Sequence, residues 1–179
     1  MKARTIVSDI YEVGIRDWTL HDFHGFATPR GVTYNSFLIM DEKICLIDGV
    51  KAPFAEEQLC NIRTIVDPEK IDYIVVNHVE PDHSGSLPAL AKACPNATFL
   101  ITVQGANELK EHYGDIFKTQ IVKKGDTVSL GKRTLAFQPI PMLHWPDTMF
   151  TYMTGENILF SNDGFGQHYA SETLFNDAV

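Results

Sequence analysis

The sequence predicts an α/β sandwich with its functional site at the strand ends, and three observations predict it. Strands come first along the chain and then alternate with helices, the order of a layered α/β fold. Several short apolar runs stop at an acid or a histidine beside a turn. One loop, His78-Val79-Glu80-Pro81-Asp82-His83, puts four metal-capable side chains within six residues, straight after a strand-like run.

In chain order, Thr5 to Val13 reads as one opening strand. Asp17 to Phe26 is an aromatic, histidine-rich loop, and histidines such as His21 and His24 in such a loop lie at a surface more often than they bind metal. Tyr34–Met40 and Lys43–Asp48 flank Asp41-Glu42 as a compact hairpin. From Pro53 to Ile65 the spacing is helical, with Phe54, Leu59, Ile62 and Ile65 on one side. Ile71–Asn77 reads as a buried strand, followed by the cluster and by a helix over Ser84–Cys94 that Pro95 stops. Thr98–Thr102 is a strand and Gln104–Tyr113 a helix ended by Gly114. Thr119–Val122, Thr127–Leu130 and Arg133–Pro139 are short strands with turns at Gly125-Asp126 and Gly131-Lys132. Phe150–Met153 and Asn157–Ser161 form another hairpin, and the tail from Gln167 is polar with a weak helical pattern. With no repeat, low-complexity tract or linker, residues 1–179 read as one domain.

The length suits a single core, and a net charge of −8 argues against nucleic acid and anionic membrane surfaces as partners. The N-terminus lacks the apolar region of a signal peptide, and no segment reaches the length of a membrane span, so a cytoplasmic protein is expected. Cys45, Cys60 and Cys94 are scattered without a C-x-x-C pair, which excludes a disulfide framework, a zinc ribbon and an iron–sulfur site. Buried free thiols in a reducing compartment are the expected account.

In an extended segment alternate residues point the same way, so His78, Glu80 and Asp82 converge on one side, with His83 next door as the chain turns. A set with no Cys favours iron, zinc or manganese. The plainer alternative is a solvated polar loop. Two further residues argue against it. His144 follows the strand ending at Pro139, and Asp163 follows the strand ending at Ser161. Alone, His144 between Leu143 and Trp145 reads as a packed core histidine, and Asp163, like Asp48 before Gly49, reads as a turn former. Together with the loop they give histidine nitrogens, carboxylate oxygens and one carboxylate able to bridge, the inventory of a two-iron site.

The pattern His78-x-Glu80-x-Asp82-His83, then His144, then Asp163 resembles the diiron site of flavodiiron proteins, whose catalytic module has the metallo-β-lactamase fold. Neighbouring words match too: Arg16-Asp17-Trp18, Asp22-Phe23-His24-Gly25, Tyr34-Asn35-Ser36, Leu46-Ile47-Asp48 and Phe160-Ser161-Asn162-Asp163 through Phe165-Gly166-Gln167-His168. The likeness spans essentially the whole chain and is strongest to flavorubredoxin-type nitric oxide reductases. It implies an αββα sandwich in which His78, Glu80 and His144 bind one iron, Asp82 and His83 the second, and Asp163 bridges. In some family members the histidine at the place of His83 turns away from the metal. His24 and Trp145 are implied to line the pocket over the irons as candidate catalytic residues, His168 to lie farther out, and Asp48 to be a structural acid. The implied reaction is reduction of nitric oxide to nitrous oxide, of dioxygen to water, or both, with electrons from rubredoxin or a flavodoxin-like domain, in a homo-oligomer.

Glu80 discriminates within the superfamily, because the hydrolases usually carry His there, a pattern suited to zinc and metal-bound hydroxide. A carboxylate adds charge and a harder donor, which favours iron. The resemblance also implies one more histidine and closing strands beyond Val179, and an FMN-binding domain for which this chain offers no site. These residues alone are therefore expected to hold the second iron weakly, to turn over negligibly and to self-associate. A diiron sensor of oxygen or nitric oxide and a zinc hydrolase are the competing readings.

Overall fold

The computed structural model describes residues 3–178. The chain opens as a hairpin of β1 (Arg4–Val7) and β2 (Ile10–Glu12), correcting the single strand expected from Thr5 to Val13. Ser8 and Asp9 make the turn, and Asp9 takes a φ of +66°, a left-handed position that Asp tolerates better than most residues. Two small ribbons follow. β3 (Ile15–Asp17) pairs with β6 (Val32–Tyr34), and between them β4 (Asp22–Phe23) pairs with β5 (Phe26–Ala27). The expected hairpin around Asp41-Glu42 is β7 (Phe37–Ile39) with β8 (Cys45–Ile47).

From β8 onward strands and helices alternate. α1 (Ala55–Arg63) leads to β9 (Tyr73–Val75), and α2 (Pro81–Ser84) with α3 (Leu87–Ala93) leads to β10 (Thr98–Ile101). α4 (Val103–Tyr113) then leads to β11 (Thr119–Ile121). The helix expected over Ser84–Cys94 is thus two helices, the first starting earlier, at Pro81. Pro81 and Pro88 both lie in a first turn, where the N–H that proline lacks has no helical partner to lose. The second sheet is a meander of β12 (Thr127–Ser129), β13 (Thr134–Pro139), β14 (Met149–Thr154) and β15 (Ile158–Phe160).

The first sheet has seven strands in the order β1-β2-β7-β8-β9-β10-β11, antiparallel as far as β8 and parallel from β8 to β11. Its central strands are apolar at every position because both faces are covered. Leu38, Leu46, Ile74 and Phe99 face α1, α3 and α4, meeting Leu59, Ile62, Leu87, Leu90 and Leu109. Ile39, Ile47, Val75 and Leu100 point the other way, onto Leu135, Phe137, Met149 and Met153 of the second sheet. Each such side chain contributes about 1.5–3 kcal/mol by leaving water. The layers therefore run helices, sheet, sheet, three of the four expected. No helix among the described residues is long and apolar enough to cross a membrane. Cys45 and Cys94 are buried as expected, but Cys60 is exposed on α1.

With these helices on one face, the carboxyl ends of β8 and β9 open at the same rim, the usual location of a site in such sheets. Gly49, just after β8, lets that rim close. Its N–H donates to the His83 carbonyl at 2.9 Å, and a Cβ there would lie 2.6 Å from Ser86 Oγ and 2.8 Å from His83 O. Gly49→Ala is therefore expected to destabilise the protein by about 1–3 kcal/mol, read as a lower urea midpoint at unchanged slope.

Candidate metal centre

Two buried polar residues set the loops. Asp48 follows β8 at φ +57°. Its Oδ1 accepts the Asn77 backbone N–H at 2.7 Å, and its Oδ2 accepts Asn77 Nδ2 at 2.9 Å and Asn162 Nδ2 at 3.2 Å. Asn77, fully buried after β9, also accepts Thr151 Oγ1 at 2.7 Å on its side chain and Met149 N at 2.9 Å on its carbonyl. The loops after β9 and β15 and the start of β14 are thus fastened at one place.

Six predicted residues meet beyond that fastening. His78 Nε2 lies 3.2 Å from Glu80 Oε2 and 3.5 Å from Asp163 Oδ2. His144 Nε2 lies 3.2 Å from Glu80 Oε2 and 3.0 Å from the same Asp163 Oδ2. One donor atom from each of these four residues falls within 4.8 Å of the others. Asp163 turns its other oxygen to a different group: Oδ1 is 2.8 Å from His83 Nε2, which is 3.4 Å from Asp82 Oδ2. Convergence is as expected, but alternation along an extended strand is not its cause. Glu80 is the last extended residue, capping α2, and Asp82 and His83 project from that helical turn.

His24, on the β4–β5 hairpin, reaches Glu80 Oε1 at 3.0 Å and stays more than half exposed. The Trp145 ring stands edge-on to His78 at 5.2 Å, walling one side. His168 stacks edge-on against Phe23 at 4.8 Å, and His21 approaches the Thr28 carbonyl. His24, Trp145, Asp163 and the ligand candidates Glu80, Asp82, His83 and His144 line a cavity of about 1080 Å³. Sequence reading missed Asp147. Its carboxylate lies 3.1 Å from His78 Nδ1 through either oxygen, accepts Val79 N at 2.7 Å, and leaves Nε2 as the ring atom facing the cluster. No sequence signal singled it out, because it acts on His78 across 69 residues of chain.

The donors fit cations. Asp82 Oδ1 and His83 Nε2 are buried without a hydrogen-bond partner, although His83 Nε2 is close to two carboxylates. Buried polar atoms left without a partner are accounted for where an ion binds. The charges agree. Burial opposes protonation of His78, yet Asp147 and Glu80 outweigh it and raise its pKa to about 10. Burial, with Glu80 and Asp163 nearby, raises that of Asp82 against His83. Asp163 is held far below the usual carboxylate range, because His83, His78 and His144 outweigh its burial.

A family profile described as ODP family beta lactamase matches residues 32–178. The chain belongs to the ODP family. This ODP-family chain is 51% identical over 177 residues to a "Nitric oxide reductase" of Moorella thermoacetica, covering 97% of itself and 44% of that protein. It is 47% identical to a "Rubredoxin-oxygen oxidoreductase" of Megalodesulfovibrio gigas, covering all of itself and 45% of the relative. The crystal structure of the flavodiiron protein from Giardia intestinalis superposes with a TM-score of 0.97 at 45% identity, over 100% of this chain and 44% of that one. The ODP-family chain thus spans under half the length of these relatives, and its fold is the β-lactamase-like core of flavodiiron structures.

The shifted groups set a pH window for the metal-free protein. His78 has a raised folded-state pKa, so its contribution is full below its ordinary value of 6.5 and drains away as pH rises through about 10. Asp163 acts oppositely: its contribution is present above 3.8 and is lost as pH falls through its depressed pKa. The urea midpoint of metal-free protein is expected to fall between pH 6.5 and 10. Asp147→Asn removes the main anionic partner and should move that fall toward neutral pH, whatever it does to the absolute midpoint.

Proposed function

We propose that this domain holds two iron ions and uses them to reduce nitric oxide to nitrous oxide, dioxygen to water, or both. The observation that carries the reading is the split of Asp163, one oxygen toward His78 and His144, the other toward His83. His78, Glu80 and His144 would hold one ion and Asp82 and His83 the other, with Asp163 shared. Iron so held supplies one electron per ion to a diatomic substrate. The protein supplies position and electrostatics. Three carboxylates offset the charge of the ions, and Glu80 in place of a third imidazole tilts the choice toward iron over zinc. Trp145 excludes water beside His78, and His24 stands at the cavity mouth with Nε2 on Glu80 Oε1.

The names of the relatives support the reading, since one is called a nitric oxide reductase and the other a rubredoxin-oxygen oxidoreductase. Electrons would come from rubredoxin or a flavodoxin-like domain. Free Cys45, Cys60 and Cys94 fit a reducing compartment, the cytoplasm. We take the chain as one domain that self-associates.

Anaerobic titration with ferrous iron is expected to fill the His78–Glu80–His144 position tightly and the Asp82–His83 position more weakly; at excess iron, with both filled, nitric oxide is expected to give nitrous oxide in a single turnover without added reductant. Asp163→Asn should lose most of the iron from both positions, because a bridging carboxylate neutralises charge between two cations. Stoichiometric zinc with ester or lactam hydrolysis would sink the proposal. Glu80→His is expected to shift preference from iron toward zinc in competition dialysis, and an unchanged ratio would count against the argument from ligand hardness.

A further inference from the structure

Ser84 closes α2, the turn that carries Asp82 and His83, and its hydroxyl is buried within a chain of hydrogen bonds. The Oγ lies 2.6 Å from the Val79 carbonyl and 2.9 Å from the Tyr113 hydroxyl. A carbonyl only accepts and a serine has one proton to give, so Ser84 donates to Val79. Tyr113 must then donate to Ser84. We propose that Tyr113 is a positioning residue for the centre, bracing through Ser84 the turn that presents Asp82 and His83.

The contacts around this chain support the assignment. Tyr113 is the last residue of α4, where Gly114, at φ +83°, ends the helix. At the first turn of α4, Thr102 Oγ1 donates to the Asp147 carbonyl at 3.0 Å while accepting the Gly105 N–H at 3.0 Å. The helix is thus fixed to the loop after His144 before it reaches α2. Helical side chains lean toward the helix start, so a tyrosine in the last turn reaches back toward the centre. The ring is itself held: it stands edge-on to Phe117 at 6.3 Å, and Phe117 stands edge-on to Phe99 of β10 at 5.0 Å. The turn needs such a hold. A helix of four residues is marginal on its own hydrogen bonds. Gly49 N fixes the His83 carbonyl from the β8 side, and Tyr113 works from the α4 side. Asp82 Oδ1 and His83 Nε2 add no hydrogen bond of their own. Val79 passes the brace on, because its N–H is bonded to Asp147 Oδ2 at 2.7 Å while its carbonyl accepts Ser84. Hydrogen bonds in series polarise one another, so the Tyr113 hydroxyl also strengthens the hold of Ser84 on Val79. Groups that orient ligand side chains from behind set how well the metal is held.

The inference rests on the reading of Asp82 and His83 as ligands of the second ion, and its test separates the two. Amide hydrogen exchange is followed by NMR in the metal-free parent, in Ser84→Ala, and in Tyr113→Phe, which keeps the ring and loses only the hydroxyl. The His83, Ser84 and Gly85 amides are expected to exchange about tenfold faster in both variants, with the Leu109 amide of α4 unchanged. Ferrous affinity is then measured by chelator competition at each step of loading. Tyr113→Phe is expected to weaken the Asp82–His83 position about tenfold and to leave the His78–Glu80–His144 position within about threefold. Unchanged exchange at α2 in Tyr113→Phe overturns the brace, whatever the metal does. Faster exchange throughout the protein, unchanged affinity at both positions, or equal loss at both overturns the positioning role. Selective exchange at α2 in a protein whose Asp82–His83 position takes no iron supports the brace and sinks the two-ion reading instead. If Ser84→Ala does not fold, Tyr113→Phe still decides.

Discussion

The structure depends on one carboxylate that touches no donor cluster. Asp48 sits buried at the end of β8 and accepts N–H groups from Asn77 and Asn162, which begin the ligand-bearing loops of two different sheets. Burial raises its pKa, against the hydrogen bonds from Asn77 and the nearby His83. A carboxylate left unpaired there would cost several kcal/mol, so the bonds to both loops form together or the site is not built. Behind it, Ser36 Oγ donates to the Asp48 carbonyl, and Gln58 and Ser86 extend the chain of buried hydrogen bonds to the backbone of Val50. Polar networks of this kind specify one arrangement because every member must be satisfied.

On that frame the centre concentrates charge. Glu80, Asp82 and Asp163 share one rim with His78, His83 and His144, and without cations the raised pKa values of His78 and His83 favour protons there in place of metal. Metal uptake must then displace those protons, which couples occupancy to pH. Part of the net charge of −8 is a property of this rim rather than of the surface at large.

Much of this was legible in the sequence, for reasons that can be given residue by residue. The loop from His78 to His83 announced itself because four donor side chains fall within six positions, and apolar runs marked the central strands because both their faces are buried. His144 and Asp163 carried no such local signal; their place after strands and the family resemblance brought them in. The β1–β2 hairpin was read as one strand because its turn, Ser8-Asp9, interrupts an apolar run without Gly or Pro. Asp147, Asn77 and Asn162 were invisible as a group, since each acts across 29 to 114 residues of chain and no local pattern encodes such partners.

That same separation sets an order of events in folding. Asn77 meets Thr151 only when the two sheets face each other, and Asn162 meets Asp48 only when β15 has joined its own sheet. Contacts so far apart in sequence form late, after shorter loops have closed. Four of the donors lie together on the loop from His78 to His83, but His144 and Asp163 come from loops of the second sheet, so the full ligand set exists only once the two sheets have docked. The ion arrives at a finished rim, and the time at which a nascent chain becomes able to bind it is the time at which its two sheets dock.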